Sequence, residues 1–281
     1  MNNLINSGQK DYRKFRYLFK NSKNLFAGKY SSKLKGQGVE FCDLKVYDFS
    51  DDVRKIDWNV TARTGEVFVR EFLEEKDASH YFLVDVSGSM FNKLKEIQKL
   101  VSTLIFASNS FSDNFCVVFC KKDFLKVVPL SKGKKHLIRC IYEISQLKEE
   151  GFGDLNIGLK YLLSKVKKNS LISIFSDDLD LQADTLSYIT ALKKRNKVSY
   201  FEFFNSTEME FDLGLDVFTD SESGEDVMYD LDDDDVYEII LNFNNKLKNV
   251  EKMVKKTGAK YFSFDCKSSV VDAMRTERFE V

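Results

Sequence analysis

Tyr81-Phe-Leu-Val-Asp85-Val-Ser87-Gly-Ser89-Met90 sets one carboxylate and two hydroxyls at alternate positions after an apolar run. All three are hard oxygen donors, which suit Mg2+, Mn2+ or Ca2+ better than zinc. Leu171-Ile-Ser-Ile-Phe175-Ser176-Asp177-Asp178 is a second apolar run that ends in acid, and it offers a second carboxylate. One reading is a cation held by Asp85, Ser87, Ser89 and Asp177. The plainer reading is that these side chains only cap a turn and a helix. Covalent catalysis by Ser87 is not favoured, because Gly-x-Ser-x-Gly is not matched. His80 lies on or before the strand and His136 falls on a predicted helix far along the chain. No Gly-x-x-x-x-Gly-Lys-Ser/Thr loop exists, so ATP hydrolysis by this chain is not expected. A Mg2+-dependent phosphohydrolase built on Asp85 and Asp177 stands as the alternative.

These groups need a scaffold that brings two strand ends together. The run before Asp85 reads as a buried strand, and Lys93 to Ser110 as a helix with Leu94, Ile97, Leu100 and Leu104 on one stripe. Ser87 and Ser89 then lie on a strand-to-helix turn, the edge where open α/β sheets bind ligands. Downstream, strands are expected at 114–120, 124–128, 170–176, 198–204 and 260–264, with helices at 133–147, 154–167, 183–194 and 236–256. The alternation predicts an α/β fold with a mostly parallel sheet and helices on both faces. Cys116 and Cys120 share one face of a strand, which favours core packing.

Residues 1–35 predict a basic amphipathic helix, with Tyr12, Phe15, Leu18, Phe19 and Phe26 at roughly helical spacing. Packing on the domain is favoured over a basic arm for nucleic acid or anionic lipid. Residues 36–79 form a distinct β-segment with strands expected at 40–47 and 66–72. Between them Asp52, Arg54, Asp57, Trp58 and Arg63 crowd together, which predicts arginine–carboxylate pairs around a tryptophan anchor. Residues 80–281 form the α/β domain, with an acidic insertion around 208–235 that ends in Asp232-Asp-Asp-Asp235.

The 281 residues carry a net charge of −1, which argues against a chain built mainly to grip nucleic acid. No apolar stretch is long enough to span a bilayer, and the N-terminus lacks the apolar region of a signal peptide. Five cysteines without a Cys-x-x-Cys pair fit a reducing compartment, so a cytoplasmic location is expected.

The two acidic strand ends resemble the metal-ion-dependent adhesion site of von Willebrand factor A domains. Asp52-Val-Arg54-Lys-Ile56-Asp57-Trp58-Asn-Val-Thr-Ala62-Arg63, followed by Phe82-Leu-Val-Asp85-Val-Ser87-Gly-Ser89, closely resembles the DUF58 family of bacterial proteins. Phe175-Ser-Asp177 and Val217-Phe-Thr-Asp220-Ser-Glu222-Ser-Gly224 fit it too. The resemblance implies a von Willebrand A-like (Rossmann-like) fold with an N-terminal helix and a β-hairpin extension. It also implies partnership with a MoxR-type AAA+ ATPase or with other von Willebrand A proteins, in protein assembly or maturation. In that role the chain is a non-catalytic module whose metal takes an Asp or Glu from the partner. One position departs from the pattern. The adhesion site usually draws a threonine from Gly-x-Thr-Asp-Leu, and here the run is Gly151-Phe-Gly153-Asp154-Leu155. With Gly153 there, water or Asp154 would fill the place, and Mg2+ binding is expected to be weakened.

Overall fold

The strand that ends in Asp85 runs through the middle of a six-stranded sheet. The structure is a computed structural model that describes residues 4–12, 35–36, 40–49, 51–73, 79–121, 124–147, 154–209, 214–219, 226–231, 233–269 and 273. Contacts divide the chain into two units, one from residues 29–77 and one from residues 1–28 with 78–281. No helix among the described residues is long and apolar enough to cross a membrane.

In chain order the elements are α1 (4–12), β1 (Lys35–Gly36), β2 (Glu40–Val46), α2 (Trp58–Thr64), β3 (Phe68–Leu73), β4 (Ser79–Asp85), α3 (Leu94–Ser110), β5 (Asn114–Lys121) and β6 (Phe124–Ser131). Then follow α4 (Lys134–Ser145), α5 (Leu155–Lys165), β7 (Leu171–Ser176), α6 (Ala183–Lys193), β8 (Lys197–Phe204), β9 (Gly214–Thr219), β10 (Asp226–Leu231), α7 (Asp233–Lys256) and β11 (Lys260–Asp265).

The large sheet has the order β11-β8-β7-β4-β5-β6. All its pairs are parallel except β5–β6, which is an antiparallel hairpin. Every residue of β7 and residues 80–85 of β4 are buried, which is why both strands read as unbroken apolar runs. Each face has its own core. Phe82, Val84, Phe175 and Phe201 pack with α3 and α4 on one side, while Leu83, Ile172, Ile174 and Tyr200 pack with α5, α6 and α7 on the other. Leu4, Ile5 and Tyr12 of α1 pack against the first core. The rest of the expected N-terminal helix, including Phe15, Leu18, Phe19 and Phe26, lies outside the described residues.

Cys116 and Cys120 are buried on the α5 face, as their spacing requires. Beside them Gly158 lets α5 approach the sheet closely, because a Cβ there would overlap the Leu83 Cδ1 methyl and sit 3.3 Å from Cys120. Gly158→Ala gains about 1 kcal/mol of helix propensity and meets an overpacking cost of about 1–3 kcal/mol. A net loss of stability of about 0–2 kcal/mol is expected in urea denaturation.

The smaller unit holds an antiparallel sheet of order β1-β3-β2. Asp52 caps the short turn Val53–Lys55 by accepting the Arg54 amide. Asp57 caps α2 through the Asn59 and Val60 amides and accepts Arg70 Nε at 2.8 Å. That arginine, with the helix amides, holds the Asp57 carboxyl below its usual range. The expected cluster is therefore corrected. Arg54 and Arg63 are exposed and Trp58 is 69% exposed, so the tryptophan is not a buried anchor. Asp57 is already satisfied by two amides and by Arg70 of β3, which leaves the neighbouring arginines no buried acid to pair with.

Candidate metal centre

The chain leaves β4 for α3 on one face of the sheet, and it leaves β7 for α6 on the other. Diverging connections open a crevice beyond the carboxyl ends of adjacent parallel strands. Asp85 ends β4, and Ser176-Asp177 end β7 beside it. The cleft between them has a volume of about 540 Å3, and its polar wall includes Asp85, Ser87, Ser89, Asp154, Asp177 and Asp178.

Four of the residues singled out by sequence are brought together. Ser87 and Ser89 lie in and just before the 3-10 turn Gly88–Lys93, with their Oγ atoms 3.1 Å apart. Ser89 Oγ donates to Asp177 Oδ1 at 3.1 Å. Asp85 is 4% exposed, and Ser176 Oγ donates to its Oδ2 at 3.2 Å. Among the described residues its Oδ1 is buried with no hydrogen-bond partner. Burial, reinforced by the charge of Asp177, pushes the Asp85 carboxyl up to about 7. Asp178 is also raised, by burial first. Asp154 lines the cleft but is engaged as the cap of α5, accepting the Asn156 amide at 2.8 Å. Gly151 to Gly153 lie outside the described residues, and so does the Asp220–Gly224 stretch.

The bare Asp85 oxygen is what a cation site requires, because a buried carboxylate oxygen without a partner carries a large desolvation cost. The donor set of two carboxylates and two hydroxyls fits a hard cation such as Mg2+. Among the described residues no group of three or more His, Cys, Asp or Glu is arranged to hold a metal, so such a site depends on the serine oxygens.

Two residues escaped the sequence reading. Lys93 is 7% exposed, and its Nζ donates to Asp177 Oδ2 at 2.8 Å and to the Ser89 carbonyl at 3.2 Å. Its signal was a lysine four residues after Ser89, within reach of that carbonyl once the turn is helical. Glu202 is fully buried on β8, in register with Ser176, and among the described residues neither of its oxygens has a hydrogen-bond partner. Burial, and then Asp177 and Asp178, raise it well above the usual carboxylate range. Its signal was one acid inside the apolar run Tyr200-Phe-Glu-Phe-Phe204.

A family model described as "Protein of unknown function DUF58" matches residues 43–246. Uncharacterized proteins of Mycobacterium bovis and Mycobacterium tuberculosis are each 25% identical over 207 residues, covering 70% of this chain. The chain spans 65% of the length of those relatives. Among solved structures, the von Willebrand A domain of SpRpn10 is 9% identical, with 71% of this chain and 94% of that domain covered and a TM-score of 0.43. The pilus adhesin SpaC of Lactobacillus rhamnosus GG, in its open conformation, is 11% identical, with coverage of 73% and 30% and a TM-score of 0.49. The six-stranded, mostly parallel sheet with helices on both faces is an α/β fold of the expected class.

Proposed function

The chain belongs to the DUF58 family, and on that basis and the geometry of its cleft we propose that it is a non-catalytic, metal-dependent protein-interaction module. The observation that carries this reading is the buried, unpartnered Asp85 Oδ1 beside the linked Ser87, Ser89 and Asp177. Asp85 and Asp177 would hold a divalent cation, with Ser87 and Ser89 supplying hydroxyl oxygens. When bound, the cation reverses the sign of the local field and offers a coordination position to a partner's Asp or Glu. Without it, Asp85 and Asp178 leave the cleft acidic and disfavour an acidic partner. The histidines support a binding role over acid–base chemistry. His80 is bonded to Ser108 and Ser173 in the core, and His136 to the Phe115 carbonyl. By family resemblance a MoxR-type AAA+ ATPase is the best candidate partner, supplying the energy of ATP while this chain supplies recognition.

Mg2+ at about 100 times its Kd is expected to stabilise the protein by roughly 2.7 kcal/mol, read as a rise in melting temperature. The tagged chain should capture the ATPase in Mg2+ and release it reversibly in EDTA. Asp85→Ala should lose capture with its circular dichroism spectrum unchanged. Association that survives EDTA would remove the metal from the mechanism. Phosphoester hydrolysis that Asp85→Ala destroys would replace the module with a hydrolase.

A further inference from the structure

The cleft already contains a cation of its own. Lys93 ends the 3-10 turn that carries Ser89, and its buried ammonium is bonded to Asp177 and to the Ser89 carbonyl. The side chains of Lys93 and Asp177 are only 8% and 5% exposed, so solvent and salt screen the pair weakly. We propose that the Lys93 ammonium is the resident counter-ion of this site, and that a divalent cation binds by displacing it from Asp177. Lys93 thereby sets the metal affinity. The inference rests on the metal reading of the cleft given above.

Two aspartates, Asp85 and Asp177, face the proposed ion, and Lys93 cancels one of them. Both oxygens of Asp177 are engaged, Oδ1 by Ser89 Oγ and Oδ2 by Lys93. Ser89 can keep its bond to Asp177 and still offer a lone pair to a metal. An ammonium has no lone pair to offer and repels a second cation. A divalent ion that uses Asp177 therefore competes with Lys93 for the same carboxylate. The displaced amine remains in a cleft also lined by Asp178 and Asp180, so it need not leave an acidic environment. Such an exchange keeps Asp177 paired in both states, so the turn is formed before the ion arrives.

The test is calorimetric titration of the whole chain with Mg2+ at pH 8, comparing wild type with Lys93→Gln and Lys93→Met. Lys93→Gln keeps a donor without the charge, and Lys93→Met keeps the apolar stem. Each is expected to tighten Mg2+ binding at least tenfold, and each should melt lower than wild type in EDTA but recover in Mg2+. Equal or weaker affinity in folded variants, with wild type binding Mg2+, would overturn the role of Lys93 alone. Absence of Mg2+ binding in wild type and in both variants would overturn the metal reading itself.

Discussion

In EDTA at pH 8, Asp85→Asn is expected to melt above the wild type. Asp85 keeps its proton up to about 7 in the fold, against a usual 3.8. Its contribution to stability is therefore complete below about pH 3.8 and is lost as pH rises through 7. Carrying the ionised group costs the metal-free fold about 4 kcal/mol at pH 8. Asparagine removes that cost while its carbonyl still accepts from Ser176, but its buried amide gives back about 1–3 kcal/mol if unpartnered. The net gain should be about 1–3 kcal/mol, a rise of several degrees. The same variant should lose the Mg2+-dependent shift. A wild type more stable than Asp85→Asn in EDTA at pH 8 would mean that the Asp85 carboxylate is satisfied within the chain, as a simple turn cap would be.

The second large effect comes from His80, which is buried against α3 and β7 with Ser108 and Ser173 on its two ring nitrogens. Burial lowers it from 6.5 to about 3. Its stabilisation is complete above pH 6.5 and falls away as pH drops toward 3, a loss of about 5 kcal/mol over the whole range. Between pH 6.5 and 4.5 the loss is about 2 kcal/mol, and Asp85 gains about the same amount over that interval. The two buried groups thus oppose each other, and single variants should separate them. His80→Gln is expected to gain about 2–3 kcal/mol relative to wild type on acidification from pH 6.5 to 4.5. Asp85→Asn should lose about as much. Urea denaturation at the two pH values measures both, and taking differences from wild type removes the other titrating groups. Parallel curves for wild type and His80→Gln would show that His80 takes up its proton within the fold.

The smaller unit shows where local reading stops. Its strands follow from alternation, and Asp52 and Asp57 cap short helical turns as acids at such positions do. Partner choice did not follow from spacing. Arg54 and Arg63 are the arginines nearest in sequence, yet Asp57 pairs with Arg70, which β3 brings in from thirteen residues away. Trp58 reads as an anchor by composition, but a seven-residue helix whose capping acid is already satisfied leaves it at the surface.

By itself, the sequence determined the elements and the class of fold. Apolar runs of strand length, helices with one apolar stripe and acids at strand ends are local patterns, and local sterics and burial decide them. It also determined that Asp85, Ser87, Ser89 and Asp177 could meet, because adjacent parallel strands bring their carboxyl ends to one edge. The tertiary structure alone decided the electrostatics of that edge. The 3-10 turn after Ser87 aims Lys93 at Asp177, and the β7–β8 register puts Glu202 beside Ser176. Which oxygen of Asp85 is left bare depends on Ser176, ninety-one residues away. Pairing and desolvation are set by distances in space, and only the folded chain supplies them.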